Sequence, residues 1–253
     1  MVRIVLGLSE CSMRLEQGFT LVELMVAMVV GSIAIASAYA SYEVIAKQYE
    51  KVKGVTEMQS SSRSIMRIIE RDIRMAGFKW RDRKGVITYG SISAPIKITD
   101  SGNKCCDKVT VIYDYRDEAS NKVERVQIRY WVADYAGSSG TRGRLFRKTD
   151  ILGRNQKILP KPINGNDDVL ADYVEDLQFS DGSLLRGDAM SFNKTVESKG
   201  LIAIDLILRT KKQYGLDRNY AKKDHFGGNY DINKNDAYKR QEYSSTVLIR
   251  NPL

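Results

Sequence analysis

The sequence predicts an α+β protein in which one long N-terminal helix packs on an antiparallel β-sheet. The stretch from Leu24 to Tyr42 carries no charge, and apolar residues then recur at spacings of three and four as far as Ala76. This spacing is typical of one face of a helix. Beyond Gly77 the apolar residues alternate instead, as in half-buried strands. A helix laid across a sheet buries both apolar faces in two layers.

The predicted helix runs from Phe19 to Ala76 without a proline, and Gly77 stands where it would end. Its first part is long enough to cross a bilayer, because about 20 mostly apolar residues suffice. The sheet is expected to bury the apolar stripe that follows Ala40. That stripe comprises Ile45, Tyr49, Val52, Val55, Met58, Ile65, Ile69, Ile73 and Ala76. The charged residues Glu70, Arg71, Asp72 and Arg74 are predicted to lie on the opposite, polar side of the helix.

Five later segments alternate as strands do, and we expect them to pair in an antiparallel sheet. They are 109–115, 123–132, 173–180, 201–210 and 243–250. The polar residues 116–122 are predicted to form a hairpin loop, and Gly137 to Gly143 a flexible one.

Glu23 is the anomaly in the apolar run. A carboxylate in hydrocarbon costs on the order of 2.5–3.5 kcal/mol, so it normally has a partner. An ordinary secretory signal, cut near Ala38 or Ala40, would release a soluble protein, but it would leave Glu23 unexplained. It would also ignore the helical pattern that continues past the cut.

The hexapeptide GFTLVE, from Gly18 to Glu23, stands at the head of this apolar helix. It resembles the class III signal of type IV pilins and type II secretion pseudopilins. Softer similarities, in the segments 70–78, 174–179 and 243–251, favour the PilW group of minor pilins, with J-type pseudopilins as near relatives. The resemblance implies a pilin-like fold.

The resemblance also implies a processing pathway. A prepilin peptidase and N-methyltransferase would cut after Gly18 and methylate Phe19, while the apolar segment is kept. Residues 1–18 are then a leader, 19–42 a transmembrane and fibre-core helix, 43–76 its amphipathic continuation, and 77–253 a periplasmic β-rich domain. The Glu23 carboxylate would pair with the Phe19 ammonium of its own or a neighbouring subunit.

The function implied is that of a minor pilin, held in the bacterial inner membrane with its N-terminus in the cytoplasm. It would initiate or tip a type IV pilus together with other minor and major pilins. Two alternatives stay open, a type II secretion pseudopilin and a DNA-binding pilus-tip subunit. The leader is long for the family, and Met13 is an alternative start.

Removal of the leader would leave two cysteines, Cys105 and Cys106, which are adjacent in the chain. In an oxidising compartment they could form a vicinal disulfide, pair with another chain, or stay as free loop thiols. No cofactor is expected to be required.

A Ca²⁺ loop is the one metal site that the spacing suggests. Asp231, Asn233, Asn235 and Glu242 occupy the first, third, fifth and twelfth positions of such a loop. Asp236 stands where the pattern favours glycine, and the alternative is a polar loop rich in Asn and Asp.

The formal charge of +9 raises the question of nucleic acid, which the sequence disfavours as a partner because the charges are interleaved. The densest basic group is Arg142, Arg144, Arg147 and Lys148, which we interpret as solvated surface. A single histidine, no nucleophile elbow and no phosphate-binding glycine loop argue against an enzyme.

Overall fold

The structure, a computed structural model, describes residues 19–99, 101, 106–118, 121–134, 143–153, 157–158, 168–181, 195–196, 200–214, 219–222, 232–235 and 237–251. The chain divides into two compact units, residues 1–50 and 51–253. A single long helix, α1 (Leu21–Met75), contributes residues to both. The helix predicted over Phe19 to Ala76 is therefore confirmed to within two residues at either end.

The described part of the second unit contains ten strands. They are β1 (Ile96–Thr99), β2 (Lys108–Arg116), β3 (Val123–Asp134), β4 (Gly143–Leu152), β5 (Asp168–Asp181), β6 (Thr195–Val196), β7 (Leu201–Gln213), β8 (Asn219–Lys222), β9 (Ile232–Asn235) and β10 (Tyr238–Leu248). Eight of them form one sheet in the order β10-β7-β5-β4-β3-β2-β1-β6, and β8 pairs with β9 separately. All neighbouring strands are antiparallel, as predicted.

All five predicted strands are present, but β5 begins at Asp168 rather than at residue 173, and β10 begins at Tyr238 rather than at residue 243. The first residues of β10 are mostly polar, so they lack the alternation of apolar residues from which a strand is predicted. The strand β4 was not predicted because it also lacks alternating apolar residues. Its Arg147 is half-buried and its Asp150 is buried, and each forms an ion pair. Gly143, predicted to close a flexible loop, is the first residue of β4, and the preceding residues 135–142 lie outside the described part.

One apolar core joins the second half of α1 to the sheet. Residues of the helix at spacings of three and four meet inward-facing residues of β1, β2, β3, β4, β5, β7 and β10. The helix contributes Met58, Ile65, Met66, Ile69, Ile73 and, just after its end, Ala76. Burying one such large side chain stabilises the fold by about 1.5–3 kcal/mol. The part of the predicted stripe before Val55 behaves differently, because Ile45, Tyr49 and Val52 are exposed, so the prediction that the sheet buries them is wrong.

Gly77 ends the helix, as predicted, in a left-handed conformation with φ of 75°. Its N–H donates to the carbonyl of Ile112 on β2 at 2.9 Å. A Cβ atom at this position would lie 2.7 Å from the carbonyl oxygen of Asn251, at the end of the chain that follows β10. Only glycine therefore satisfies both the backbone conformation and the close approach.

Asp72 fastens α1 to the sheet, and the prediction that it lies on the polar side of the helix is wrong. Its carboxylate is fully buried. It accepts hydrogen bonds from the hydroxyls of Tyr130 at 2.5 Å and Tyr113 at 3.2 Å, and from the Arg147 guanidinium at 3.0 Å. Arg71 reaches the same carboxylate from the exposed side at 3.2 Å. One carboxylate thus joins α1 to the three neighbouring strands β2, β3 and β4.

The protonation equilibria of this cluster reflect its burial. Burial raises the pKa of Tyr113 and Tyr130 above the usual range, and the charge of Asp72 adds to the rise. Burial alone would lower the pKa of Arg147, but the neighbouring Tyr130 and Asp72 raise it. The cluster therefore holds neutral tyrosines around one carboxylate and its two arginines, the arrangement in which every hydroxyl can donate to the carboxylate.

A second buried ion pair joins β2 to β3. The side chains of Arg125 and Asp114 are 1% and 0% exposed, and the arginine Nε lies 2.7 Å from the aspartate Oδ1. The same guanidinium also donates to the carbonyls of Tyr89, Gly90 and Ser91 at 3.1–3.3 Å. Arg125 therefore ties the segment before β1 to the middle of the sheet.

Candidate assembly helix

The first part of α1 exposes a continuous apolar surface. Exposed large apolar side chains occupy half of the positions from Phe19, which is 84% exposed, to Val52. In the remainder of the described chain only Val86, Tyr115, Ile158, Val169 and Leu248 are exposed in this way. An 18-residue window of α1 has a mean hydropathy of 2.2, and none of its residues is buried. An exposed apolar surface of this size indicates a membrane or a protein partner.

The helix α1 begins with an N-cap formed by a neighbouring residue of the chain. Thr20 precedes the first helical residue, Leu21, and its hydroxyl oxygen accepts a hydrogen bond from the backbone N–H of Glu23 at 3.3 Å. The carbonyl of Thr20 accepts the N–H of Leu24 at 3.2 Å. Thr20 is thus the N-cap, and Glu23 stands three residues later, the pattern of a capping box. The T-x-x-E spacing in the sequence is a signal for this cap, whereas the apolar run alone predicts a start at Phe19.

Phe19 directly precedes the N-cap Thr20 and so lies outside α1, while Glu23 lies in the first turn of the helix. Glu23 is exposed, and in the described part of the chain no cation forms an ion pair with it. A carboxylate in the first turn of a helix is favoured by the helix dipole. Gly18, the predicted cleavage position, lies outside the described residues, and the roles of Gly18, Phe19 and Glu23 stay predictions.

Of the two cysteines in the predicted disulfide, the structure describes only Cys106. Cys106 is buried and disulfide-bonded. Its partner is outside the described residues, as are both other cysteines of the chain, Cys11 and Cys105. The pairing of Cys105 with Cys106 therefore stays a prediction.

The predicted calcium ligands are described only in part. Asp231 lies outside the described residues, while Asn233 and Asn235 belong to β9, which pairs with β8. Glu242 lies in β10 opposite Ile207, and its carboxylate accepts a hydrogen bond from the Ser244 hydroxyl at 3.2 Å. The backbone is extended in both strands, whereas a calcium loop curls round its ion. Calcium binding stays a prediction, and within the described ranges no three His, Cys, Asp or Glu side chains form a cluster suited to a metal.

The arginines of the basic group 142–148 that the structure describes have different partners. Arg147 turns toward α1 and pairs with Asp72, and its side chain is only 18% exposed. Arg144 pairs with Asp172 at 2.7 Å. Arg142 lies outside the described residues. The interpretation of Arg147 as solvated surface is therefore wrong, because alternate residues of a strand point to opposite faces.

Comparison with known proteins supports the interpretation of the N-terminal segment as a class III signal followed by an apolar helix. Residues 13–39 match the family model of the prokaryotic N-terminal methylation motif. No curated protein and no solved structure matches the chain significantly. The motif is typical of structural subunits that a prepilin peptidase processes and that assemble with other pilins. Together with the single apolar helix and the antiparallel sheet, the match supports a membrane-anchored precursor of the type IV pilin or pseudopilin kind.

Proposed function

We propose that the chain is the precursor of a minor pilin that takes part in initiating or tipping a type IV pilus. The observation that carries the proposal is the exposed apolar segment from Phe19 to Val52, which has Glu23 in the first turn of α1. The precursor would sit in the inner membrane with its N-terminus in the cytoplasm and the β-rich unit in the periplasm. The minor and major pilins of the same fibre are its proposed partners.

The physical basis of assembly is that one apolar surface can serve two environments. In the membrane, lipid covers the side chains of the helix, whose backbone groups are satisfied internally. In a fibre, helices of other subunits would cover the same side chains. Cleavage after Gly18 would place an ammonium group on Phe19, beside the positive end of the helix dipole, which is unfavourable. Glu23, four residues on, would offset that charge within one chain or between neighbours.

The first prediction concerns processing. In the native bacterium the mature chain is expected to begin at Phe19 and to carry an N-methyl group, and mass spectrometry of the N-terminal peptide measures both. A Gly18→Arg variant is expected to keep its leader. Gly31→Ala is the matched control, because an added Cβ at Gly31 meets nothing within 4 Å. A mature chain that begins near Ser41 would contradict the proposal, since the apolar helix would be lost.

The second prediction concerns Glu23. Glu23→Ala is expected to insert into the membrane normally and to be depleted from purified fibres about tenfold or more, because the Phe19 ammonium would lose its partner. Immunoblots of membrane and fibre fractions measure the ratio.

Glu43→Ala is the control for Glu23→Ala. It removes another exposed acid of the same helix, one that pairs with Lys47 at 2.6 Å, and is expected to assemble like the native chain. Equal incorporation of Glu23→Ala and Glu43→Ala would show that the Glu23 carboxylate has no assembly role.

A gene deletion separates the minor pilin from the pseudopilin. If deletion of this gene abolishes type II secretion and leaves piliation intact, the chain is a pseudopilin instead.

A further inference from the structure

A cleft of about 480 Å³ lies between α1 and β10, at the edge of the eight-stranded sheet. The helix contributes Arg63, Met66, Arg67 and Glu70 to its walls, and the strand contributes residues 242–245. We propose that this edge binds an extended segment of a partner protein. The segment adds a strand to β10 and places two acidic side chains, at alternate positions, on Arg63 and Arg67.

The backbone of β10 favours a partner in the extended conformation. β10 is the outermost strand of its sheet, and in the described ranges no strand pairs with the side that faces away from β7. From Arg240 to Leu248 it stays in regular register with β7 and contains no proline. A long edge of this kind presents a row of backbone N–H and C=O groups, which an extended peptide satisfies by adding a strand.

The helix α1 runs alongside this strand. The Gln59 amide donates to the side-chain oxygen of Gln241 at 3.2 Å, and the Ser245 hydroxyl donates to the Glu70 carboxylate at 2.5 Å. The two contacts are about 16 Å apart along the helix and about 14 Å apart along the strand, at the usual rise per residue of each element. The helix and the strand are therefore close to parallel, and the cleft follows the edge of the sheet.

The spacing of the two arginines matches the spacing of side chains on a strand. Arg63 and Arg67 lie on α1 between the two contacts and are exposed. Among the described residues neither forms an ion pair. They are about 6 Å apart along the helix axis. Alternate residues of a strand are about 6.8 Å apart and point to one face, so two acids at alternate positions fit the two guanidinium groups.

The carboxylates beside the cleft do not cancel this charge. Glu70 pairs with Arg74 at 3.2 Å. Glu242 accepts the Ser244 hydroxyl at 3.2 Å. Both lie on the face of β10 opposite to that of Tyr243, which packs against the core under α1. An acidic strand at this edge therefore meets two cations on its helix side.

The Tyr243 hydroxyl also indicates a ligand that brings an acceptor oxygen. It belongs to the wall of the cleft and is buried, and in the described part of the chain it has no hydrogen-bond partner. Buried polar side-chain atoms normally have one. Aspartate and glutamate supply acceptor oxygens, whereas apolar and basic side chains do not. A free inorganic anion would satisfy the arginines but would leave the edge of β10 unpaired.

The test uses the full chain in non-ionic detergent and a fluorescein-labelled peptide of about eight residues in which glutamate and valine alternate. Fluorescence anisotropy measures binding, and we expect hydrogen exchange of the β10 backbone amides to slow in the complex. A control peptide of the same composition, with its glutamates grouped at one end, is expected to bind about tenfold more weakly. Binding of the alternating peptide should weaken as salt is added, because the ion pairs are exposed.

A charge reversal tests the two arginines. Arg63→Glu with Arg67→Glu is expected to weaken binding of the glutamate peptide about tenfold or more. The same variant is expected to bind a peptide in which lysine and valine alternate, which shows that it is folded. Arg83→Glu with Lys84→Glu makes an equal change of charge at exposed positions before β1 and is expected to bind the glutamate peptide like the native chain.

Three results would overturn the proposal. Equal binding of the alternating and grouped peptides would show that charge alone suffices. Unchanged exchange of the β10 amides in the complex would show that no strand is added. Protection of those amides by self-association of the chain without peptide would show that a second copy occupies the edge.

Discussion

Replacement of Asp72 by alanine is expected to lower the free energy of unfolding by about 3–5 kcal/mol, because it leaves Arg147, whose side chain is only 18% exposed, without this counter-ion. The hydroxyls of Tyr113 and Tyr130 would lose their acceptor in the same step. Folded domains have only about 5–15 kcal/mol in total, so the variant would lose a large part of its stability. Urea titration of the full chain in detergent, followed by circular dichroism, measures the change.

Two further variants separate the role of the buried carboxylate from a general effect of charge. Arg71→Ala removes a side chain that is 66% exposed and bonds to the same carboxylate, so we expect a loss of at most about 1 kcal/mol. Asp72→Leu combined with Arg147→Met, Tyr113→Phe and Tyr130→Phe removes every member of the cluster together. It is expected to recover most of the stability, since no buried polar group is then left unpaired. A small loss for Asp72→Ala alone would contradict the role assigned to this cluster.

Replacement of Arg125 by methionine is expected to cost a similar 3–5 kcal/mol. Methionine fills much of the same volume but leaves the buried Asp114 carboxyl without its arginine partner, and it removes the donors for the carbonyls of residues 89–91. Because Asp114 also accepts the N–H of Trp80, the emission of Trp80 should shift together with the loss of stability. The same urea titration, recorded by fluorescence in a Trp131→Phe background, measures both.

Arg144→Met is the matched control for Arg125→Met. Arg144 forms an equally short ion pair, 2.7 Å from Asp172, but the two side chains are 30% and 50% exposed. Solvent screens such a pair, so a loss of about 0.2–1 kcal/mol is expected. Equal losses for the two methionine variants would show that burial does not determine the strength of these ion pairs.

The helix was predictable because its signals are local. The charge-free run, the spacing of three and four, and Gly77 at the end each depend on neighbours within one or two turns. The five predicted strands follow from alternation in the same way. Strands with charged residues, β4 above all, were missed because pairing with a partner distant in sequence makes their burial favourable.

The sequence by itself determined the anchor helix to within two residues of its start, its end at Gly77, the antiparallel sheet, and the motif that points to prepilin processing. Only the tertiary structure decided which charges are buried. Asp72 lies 41, 58 and 75 residues from Tyr113, Tyr130 and Arg147, and no local pattern records that they meet. A buried carboxylate is stable only when such partners converge on it, so the fate of each charge depends on the completed fold.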